Sequence, residues 1–216
     1  DPAFDLIMMA IANGKHVVTA NKEVIARRGH EIFPAARKAG VAVHVEATVG
    51  GGIPIVTAIK QSLAANRIRQ IAGIINGTTN YILTAMTAHG TDLAVALAEA
   101  QRLGYAEADP TADIEAYDAA YKIAILASTF FDHRVNIEEV HREGITQLTA
   151  ADIQYASELG YVIKLLGVAR REGDGADEQL QVRVHPTMIP KGHPLAHING
   201  VMNAIAVQGD AVGEVM

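Results

Sequence analysis

Hydrophobic and polar positions in the first third of the chain follow a helical pattern and a strand pattern in turn. Apolar residues recur with helical spacing over 3–13 and 23–39, and these runs end at Asn13-Gly14 and at Gly40. The short β-branched runs KHVVTA and VAVHV follow the two helices. Because helix and strand alternate, this region is predicted to be part of a parallel α/β sheet.

The later pattern is first helical and then rich in β-branched residues. The predicted helices cover 54–65, 79–88, 91–103, 113–131 and 149–158. The predicted β segments cover 68–76, 161–172, 180–189 and 203–212. A polar turn over 173–178 separates two of the long β segments, so we expect antiparallel pairing there.

Composition narrows the class of partner. The chain has 216 residues, half of them apolar, which is enough for a substantial core. Its net charge of −6, without a long basic run, argues against a nucleic-acid groove or an anionic membrane surface and favours small molecules. No run approaches the roughly 18–20 apolar residues of a membrane helix, and the first residues lack a basic leader. We therefore expect a cytoplasmic protein. The absence of cysteine excludes disulfides and thiolate chemistry.

Asp118 and Lys122 are the first candidate pair for chemistry. They lie four residues apart in a predicted helix, so both side chains are on one face. A surface ion pair is the simplest explanation. However, the helix continues as IAILASTFF, which predicts burial, and a buried lysine needs a carboxylate partner or a function. Asp109 and Asp113, just before this pair, are interpreted as turn and N-cap residues.

The glycine-rich segment EATVGGGIPI is the second candidate site. Its exposed carbonyls and Glu46 could hold a hard cation. Alternatively, the segment is a tight strand-to-helix connection with Pro54 in the first helical turn. It is not a dinucleotide fingerprint, because it lacks the G-x-G-x-x-G spacing, and no other segment has it.

Three further features of the sequence are candidates for a functional role. In GIINGTTNYIL, Asn76-Gly77 is predicted as a turn and Thr78 or Thr79 as a helix cap, where free N–H groups would suit a substrate carboxylate. Plain capping is the alternative. Lys22 follows a predicted parallel strand, at the edge where open α/β sheets bind ligands, although it could equally be a surface lysine. The histidines at 193 and 197 flank a proline, so we interpret them as loop residues and not as a metal pair.

Taken in order, GKHVVTANK, EATVGGGIPI, GIINGTTNYIL and LGYAEADPTADIEAYDAAYK resemble the homoserine dehydrogenase family, monofunctional type, and the likeness extends to GVMNAIAVQGDAVGEVM. The resemblance implies that residues 1–45 are the C-terminal part of a dinucleotide-binding domain with a Rossmann-like parallel sheet. Residues 46–216 would then be an α+β substrate-binding and dimerisation domain with a mixed sheet. The glycine-rich phosphate-binding segment would lie upstream. The protein would be a homodimer.

The resemblance also implies an activity and a set of site residues. The family reduces L-aspartate 4-semialdehyde to L-homoserine with NADPH or NADH, on the route to threonine, methionine and isoleucine. Lys122 is similar to the proton donor, Glu107 and Asp118 to ligands of the substrate ammonium group, and Lys22 and Gly104 to cofactor contacts. The implied sodium ligands are the Glu46 carboxylate and the carbonyls of Val49, Gly51 and Ile53.

The sequence departs from the family pattern at Ala116, where the family usually has glycine. We expect this residue in a helix interior, where alanine is favourable. Two other functions stay open. One is a different NAD(P)-dependent dehydrogenase built on a split Rossmann plan. The other is that a chain of this span is a non-catalytic substrate-binding and dimerisation module that binds the dinucleotide poorly.

Overall fold

A two-stranded parallel sheet and a six-stranded mixed sheet organise the chain. The structure, a computed structural model, describes residues 1–173 and 177–216. The middle of the polar turn predicted over 173–178 therefore lies outside the described residues. The combination of a parallel sheet and a mixed sheet confirms the predicted fold class.

The parallel sheet belongs to the N-terminal unit, whose elements are α1 (Pro2–Ala12), β1 (Val17–Val18), α2 (Lys22–Ala39) and β2 (Val43–His44). β1 and β2 pair in parallel with α2 as the crossover, as the alternating pattern predicted. The Asn21 side chain accepts a hydrogen bond from the backbone N–H of Val24 and so begins α2. Gly40, at φ 68°, ends the same helix in the left-handed conformation that glycine tolerates best.

The remaining helices belong to the same part of the chain as the larger sheet. They are α3 (Ile55–Thr57), which continues as one π-helical segment (Ala58–Ser62), α4 (Gly77–His89), α5 (Leu93–Arg102), α6 (Thr111–Ile114), α7 (Tyr117–Phe130) and α8 (Ala150–Glu158). The strands are β3 (Ile68–Ile74), β4 (His141–Arg142), β5 (Tyr161–Glu172), β6 (Gln179–Pro190), β7 (Ala204–Gly209) and β8 (Gly213–Val215). Across the described ranges, no helix is both long and apolar enough to cross a membrane.

The strand order in the larger sheet is β4-β6-β5-β3-β7-β8. β5 and β6 form a long antiparallel hairpin, as expected. β3 pairs antiparallel with both β5 and β7, and β7 pairs antiparallel with β8. The short strand β4 pairs with β6 in parallel, and no pattern in the sequence predicted it. The predicted segment 203–212 contains β7 and the turn that leads into β8.

The main core lies between the larger sheet and the helices, with α7 against β5 and β6. Gly167 on β5 lets this helix approach closely, because a Cβ there would lie 2.7 Å from Cδ1 of Ile75 and 3.3 Å from Cβ of Ile123. The opposite sheet face carries a smaller apolar cluster, closed in part by Leu195 and Ala196. α2 packs against α7 and so connects the N-terminal unit to the rest.

The predicted helix over 113–131 is interrupted, and the interpretation of Ala116 as a helix-interior residue is wrong. Ala116 has φ 62° and ψ 21°, is fully buried, and lies between α6 and α7. The backbone N–H of Ile145 donates to the carbonyl of Ile114, 2.8 Å away, so a distant segment takes the carbonyl that a continuous helix would use. The two helices therefore form separately.

Candidate active site

One carboxylate, that of Asp118, binds two lysine side chains. Its Oδ1 lies 2.8 Å from Nζ of Lys22, and its Oδ2 lies 2.6 Å from Nζ of Lys122. The predicted pairing of Asp118 with Lys122 within α7 is present. The contact with Lys22, which comes from the N-terminal unit, was not predicted. The Asp118 side chain is 10 % exposed, so these contacts largely replace its hydration.

The ammonium group of Lys122 keeps one N–H available. It donates to Asp118 Oδ2 and, over 2.8 Å, to the carbonyl of Ile75, which follows strand β3. A lysine ammonium has three N–H donors. Within the part of the chain that the structure describes, the third N–H has no protein acceptor. The side chain is 17 % exposed, so it is partly open to solvent.

Asn76 connects Asp118 to a second carboxylate. Its Nδ2 donates to Oδ1 of Asp113 over 2.6 Å and to Oδ2 of Asp118 over 2.9 Å. Its Oδ1 accepts from the backbone N–H of Thr79, so Asn76, and not Thr78 or Thr79 as predicted, caps α4. An N-cap side chain accepts a hydrogen bond from the N–H two or three residues later, so the spacing of Asn76 and Thr79 could have predicted Asn76 as the cap.

Asp109 and Asp113 differ in their roles. Asp109 accepts hydrogen bonds from the N–H and hydroxyl of Thr111, which confirms its interpretation as a turn residue. The N-cap role given to Asp113 is wrong, because Pro110 precedes α6 and Asp113 lies inside it. The Asp113 carboxylate instead accepts from Asn76.

The charges of this group of residues reinforce one another. Burial disfavours the ionised form of Asp118, but the nearby Lys122 ammonium and hydrogen bonds from both lysines and Asn76 outweigh it, so the pKa of this carboxyl is lowered. The hydrogen bond to Asp118 raises the pKa of Lys22 against the effect of burial, and the negative charges of Asp118 and Asp113 add to it. The carboxylate and the Lys22 ammonium therefore stay ionised together near neutral pH.

Glu107 and Gly104 lie on the exposed loop that follows α5. The Glu107 carboxylate makes no hydrogen bond or ion pair among the described residues, and its backbone carbonyl accepts from Nε2 of Gln101. The structure thus does not bring Glu107 into contact with Asp118 or Lys122. Gly104 has φ 78° and open space where a Cβ would be, so this backbone can be approached closely.

The Glu46 segment forms a strand-to-helix connection, as the alternative interpretation predicted, but Pro54 precedes α3 instead of lying in its first turn. Oε1 of Glu46 accepts from the N–H of Val56, and Oε2 accepts from the N–H and hydroxyl of Thr57. Gly50 and Gly51 are both left-handed. In the described ranges, no group of three or more acidic or histidine side chains is arranged to hold a metal.

The backbone of this segment nevertheless supplies oxygen ligands. Among the described residues, the carbonyls of Val49 and Gly51 accept no hydrogen bond, whereas the Ile53 carbonyl accepts one from the N–H of Ile55. Carboxylate and carbonyl oxygens are the ligand type that hard cations prefer. The oxygen ligands that the resemblance implies are therefore of the chemical type that a hard cation prefers.

Two other polar features lie away from Asp118. His193 accepts a hydrogen bond from the N–H of Leu195 and begins a short 3₁₀ helix (Pro194–His197), so His193 precedes a helical turn and His197 ends it instead of lying in a loop. Lys164 is 3 % exposed and was missed. Its ammonium donates to Asn80, Asn199 and the carbonyl of Ile198, and burial lowers its pKa to about 8. A single lysine inside the apolar run YVIKLLG was the available signal.

Family models match both parts of the chain. The model described as homoserine dehydrogenase matches residues 54–216. The model described as homoserine dehydrogenase, NAD binding domain, matches residues 2–46. Together the two matches include Lys22, Asp118 and Lys122.

Known proteins resemble the chain over its full length. A homoserine dehydrogenase from Synechocystis is 58 % identical over all of this chain and 50 % of its own, and one from Pseudomonas aeruginosa is 55 % identical over 99 % and 48 %. A crystal structure of a homoserine dehydrogenase from Thiobacillus denitrificans superposes with a TM-score of 0.95 at 55 % identity, over all of this chain and 49 % of that one. The chain thus spans about half the length of these relatives. On this evidence, the chain belongs to the homoserine dehydrogenase family.

Proposed function

We propose that this chain holds the substrate and supplies the proton in the NAD(P)H-dependent reduction of L-aspartate 4-semialdehyde to L-homoserine, in the biosynthesis of threonine, methionine and isoleucine. The observation that carries the proposal is the shared Asp118 carboxylate. It holds two ammonium groups side by side and leaves one N–H of Lys122 free of protein acceptors in the described structure. A carbonyl oxygen that gains negative charge needs such a donor.

When bound, the reduced nicotinamide supplies the hydride that attacks the aldehyde carbon. Lys122 donates its unused N–H to the aldehyde oxygen, stabilises the charge that develops there, and transfers the proton to form the hydroxyl group. Asp118 keeps the lysine in place from one helical turn away. The neutral amine that remains regains a proton from solvent, to which the side chain is partly open.

The cofactor is NAD or NADP, and we assign Lys22 and Gly104 to its side of the site. Lys22 is the first residue of α2, beyond the carboxyl end of β1, where parallel sheets bind ligands. The left-handed Gly104 offers backbone without a side chain. The matched ranges 2–46 and 54–216 support a division into a dinucleotide-binding part over 1–45 and a substrate-binding and dimerisation part over 46–216.

Glu107 is the better candidate than Asp118 for direct contact with the substrate ammonium group. Both oxygens of Asp118 already bind lysines, whereas the Glu107 carboxylate makes no hydrogen bond or ion pair among the described residues. Asp118 then acts on the substrate mainly through Lys122. The start of α4 suits the substrate carboxylate, because the Asn76 cap uses the N–H of Thr79 and leaves those of Gly77 and Thr78.

The carboxylate of Glu46 and the carbonyls of Val49, Gly51 and Ile53 are proposed to bind a sodium ion that stiffens the glycine-rich connection. The test compares the urea midpoint in sodium chloride and in choline chloride at equal ionic strength. Sodium should raise the midpoint of the wild type, and much less that of Glu46→Gln, which keeps one oxygen acceptor for the helix. An equal response to both salts would exclude a sodium site.

The protein is further proposed to be a cytoplasmic homodimer. Tyr155 and Leu159 lie one turn apart on and just after α8, and the two residues are 62 % and 69 % exposed. Such a pair of large apolar groups suits an interface between copies of the chain. Sedimentation of the wild type should give twice the chain mass, and Leu159→Glu should reduce it. Cell fractionation tests the compartment.

The activity is measured on the protein encoded by the whole reading frame that contains this chain. The wild type should oxidise homoserine with NADP⁺ or NAD⁺, whereas a different dehydrogenase would prefer another alcohol in the same substrate panel. Lys122→Ala should lower kcat by about 10²–10⁴-fold. Lys191→Ala is the matched control, because Lys191 makes two hydrogen bonds to Ser157 on the surface. Near-normal activity of Lys122→Ala would disprove the assigned proton donor.

A further inference from the structure

The carboxamide of Asn76 uses all of its hydrogen-bonding capacity inside the candidate site. Its two N–H groups donate to Asp113 over 2.6 Å and to Asp118 over 2.9 Å. Its oxygen accepts from the N–H of Thr79 over 2.8 Å and from the Thr79 hydroxyl over 2.9 Å. An asparagine side chain has two donors and two acceptor lone pairs, so none is left over.

These partners leave the amide only one orientation. A backbone N–H can only donate, so the oxygen must face Thr79, and the nitrogen must face the two carboxylates. The reversed amide would place its oxygen against two negatively charged groups. Asn76 is 5 % exposed, so water has little access to replace any of the four bonds.

The same contacts restrain the carboxylate of Asp118. Oδ2 accepts from both Asn76 and Lys122, and Oδ1 accepts from Lys22. Lysine side chains are long and flexible, whereas Asn76 is fixed to the backbone of α4 through Thr79. Asn76 is thus the one rigid donor among the three contacts to Asp118. It also brings Asp113 close to Asp118 without adding a charge.

We propose that Asn76 is a positioning residue, which sets the orientation of the Asp118 carboxylate and thereby the placement of the Lys122 ammonium group. This inference rests on the proposed function, since Lys122 is the proton donor there. It assigns to Asn76 a second role beyond capping α4, and the two roles can be separated by mutation.

Asn76→Ser separates them. Serine retains an oxygen acceptor for the N–H of Thr79, so the helix cap survives, but its short side chain cannot donate to two carboxylates. We expect kcat for homoserine oxidation to fall about 10- to 100-fold, with a smaller change in KM and a urea midpoint near that of the wild type. Asn76→Asp also keeps the cap but adds a third carboxylate, so its kcat should fall further.

Thr149→Ala is the matched control for lost capping. Thr149 caps α8 in the same way, through its hydroxyl and the N–H of Asp152, and it lies outside the candidate site. This variant should lose stability, because it loses the cap of α8. Its kcat should stay within about twofold of the wild-type value, as expected for a cap remote from the chemistry.

The pH profile gives a readout that a purely structural role would not change. The hydrogen bond from Asn76 helps to lower the pKa of Asp118. Its loss in Asn76→Ser should therefore raise that pKa and move the acidic limb of kcat/KM to higher pH. Thr149→Ala should leave the limb in place.

Different results would overturn the proposed function and the role of Asn76 inferred here. A wild-type protein that does not oxidise homoserine overturns the proposed function and this inference with it. If the wild type is active, but Asn76→Ser keeps the wild-type kcat and acidic limb, the inference alone is overturned. A fall in kcat of Asn76→Ser that is matched by an equal fall in Thr149→Ala also overturns it, because a substitution far from the candidate site would then lower kcat as much, and the effect would not be specific to Asn76.

Discussion

Nζ of Lys22 lies 2.8 Å from Oδ1 of Asp118, and this ion pair crosses between the two parts of the chain. Lys22 begins α2 in the segment matched as NAD-binding, whereas Asp118 belongs to α7 in the segment matched as homoserine dehydrogenase. The packing of α2 on α7 supports the contact. The position of Asp118, and so of Lys122, therefore depends on both segments.

Removal of the Lys22 charge should affect activity more than stability. The Lys22 side chain is 40 % exposed, so Lys22→Gln should lower the free energy of unfolding by less than about 1 kcal/mol. Without this contact Asp118 loses one of its three donors, and kcat/KM should fall about tenfold or more. Lys38→Gln, at the exposed end of α2, is the control and should change neither quantity. A wild-type kcat/KM for Lys22→Gln would contradict the prediction.

The contribution of Asp118 to stability should depend on pH. Because its pKa is lowered from the ordinary value of 3.8, ionised Asp118 stabilises the folded state above that pH, and the contribution disappears as pH falls through the lower folded-state pKa. Asp118→Asn should destabilise the protein by roughly 1–3 kcal/mol at pH 7, where both lysines lose their counter-charge. Urea unfolding between pH 3 and 7 should show this difference shrinking towards acid. A difference independent of pH would contradict the assignment.

Ala116→Gly should be nearly neutral for stability. Relief of the left-handed strain, about 1–2 kcal/mol for a non-glycine residue, is opposed by greater freedom of the unfolded chain and by the loss of a buried methyl group. Ala127→Gly is the control, since Ala127 is also fully buried but lies inside α7. Ala127→Gly should lower the free energy of unfolding by about 1–2 kcal/mol, because it also frees the unfolded chain and removes a buried methyl group but relieves no backbone strain. Equal destabilisation of the two variants in thermal or urea unfolding would contradict the left-handed conformation.

Because of the buried Lys164, the free energy of unfolding should depend on pH in the alkaline range. Its folded-state pKa of about 8 lies below the ordinary 10.5, so between these values the unfolded chain binds more protons and stability increases with pH. The free energy of unfolding of the wild type, relative to Lys164→Met, should rise from pH 8 to pH 10.5 by up to about 3 kcal/mol. Urea titrations at several pH values measure this. A flat difference would show that the three oxygen acceptors keep the ammonium at its ordinary pKa.

The sequence predicted those features that depend on neighbouring residues. The helix α2 follows from apolar spacing and from Gly40, and the Asp118–Lys122 pair follows from the period of α7. The α/β fold class follows from the order of these elements along the chain. Each of these needs only the local pattern.

Features that join distant segments could not be predicted in this way. The break at Ala116 depends on the bond between Ile145 and Ile114, and Asp118 meets Lys22 only because α2 packs on α7. Strand β4 is two residues long and exists through its pairing with β6. In each case the deciding partner lies far away in the sequence, where spacing carries no information.

The break at Ala116 also has an electrostatic consequence. Because α7 begins at Tyr117, Asp118 lies in its first turn, where the aligned peptide dipoles present their positive end. In a continuous helix over 113–131, the same residue would be the sixth, beyond the first turn, where the dipoles offer an anion much less. The bend between the two helices thus gives a buried carboxylate a third source of positive potential, from the backbone, beside the two lysines.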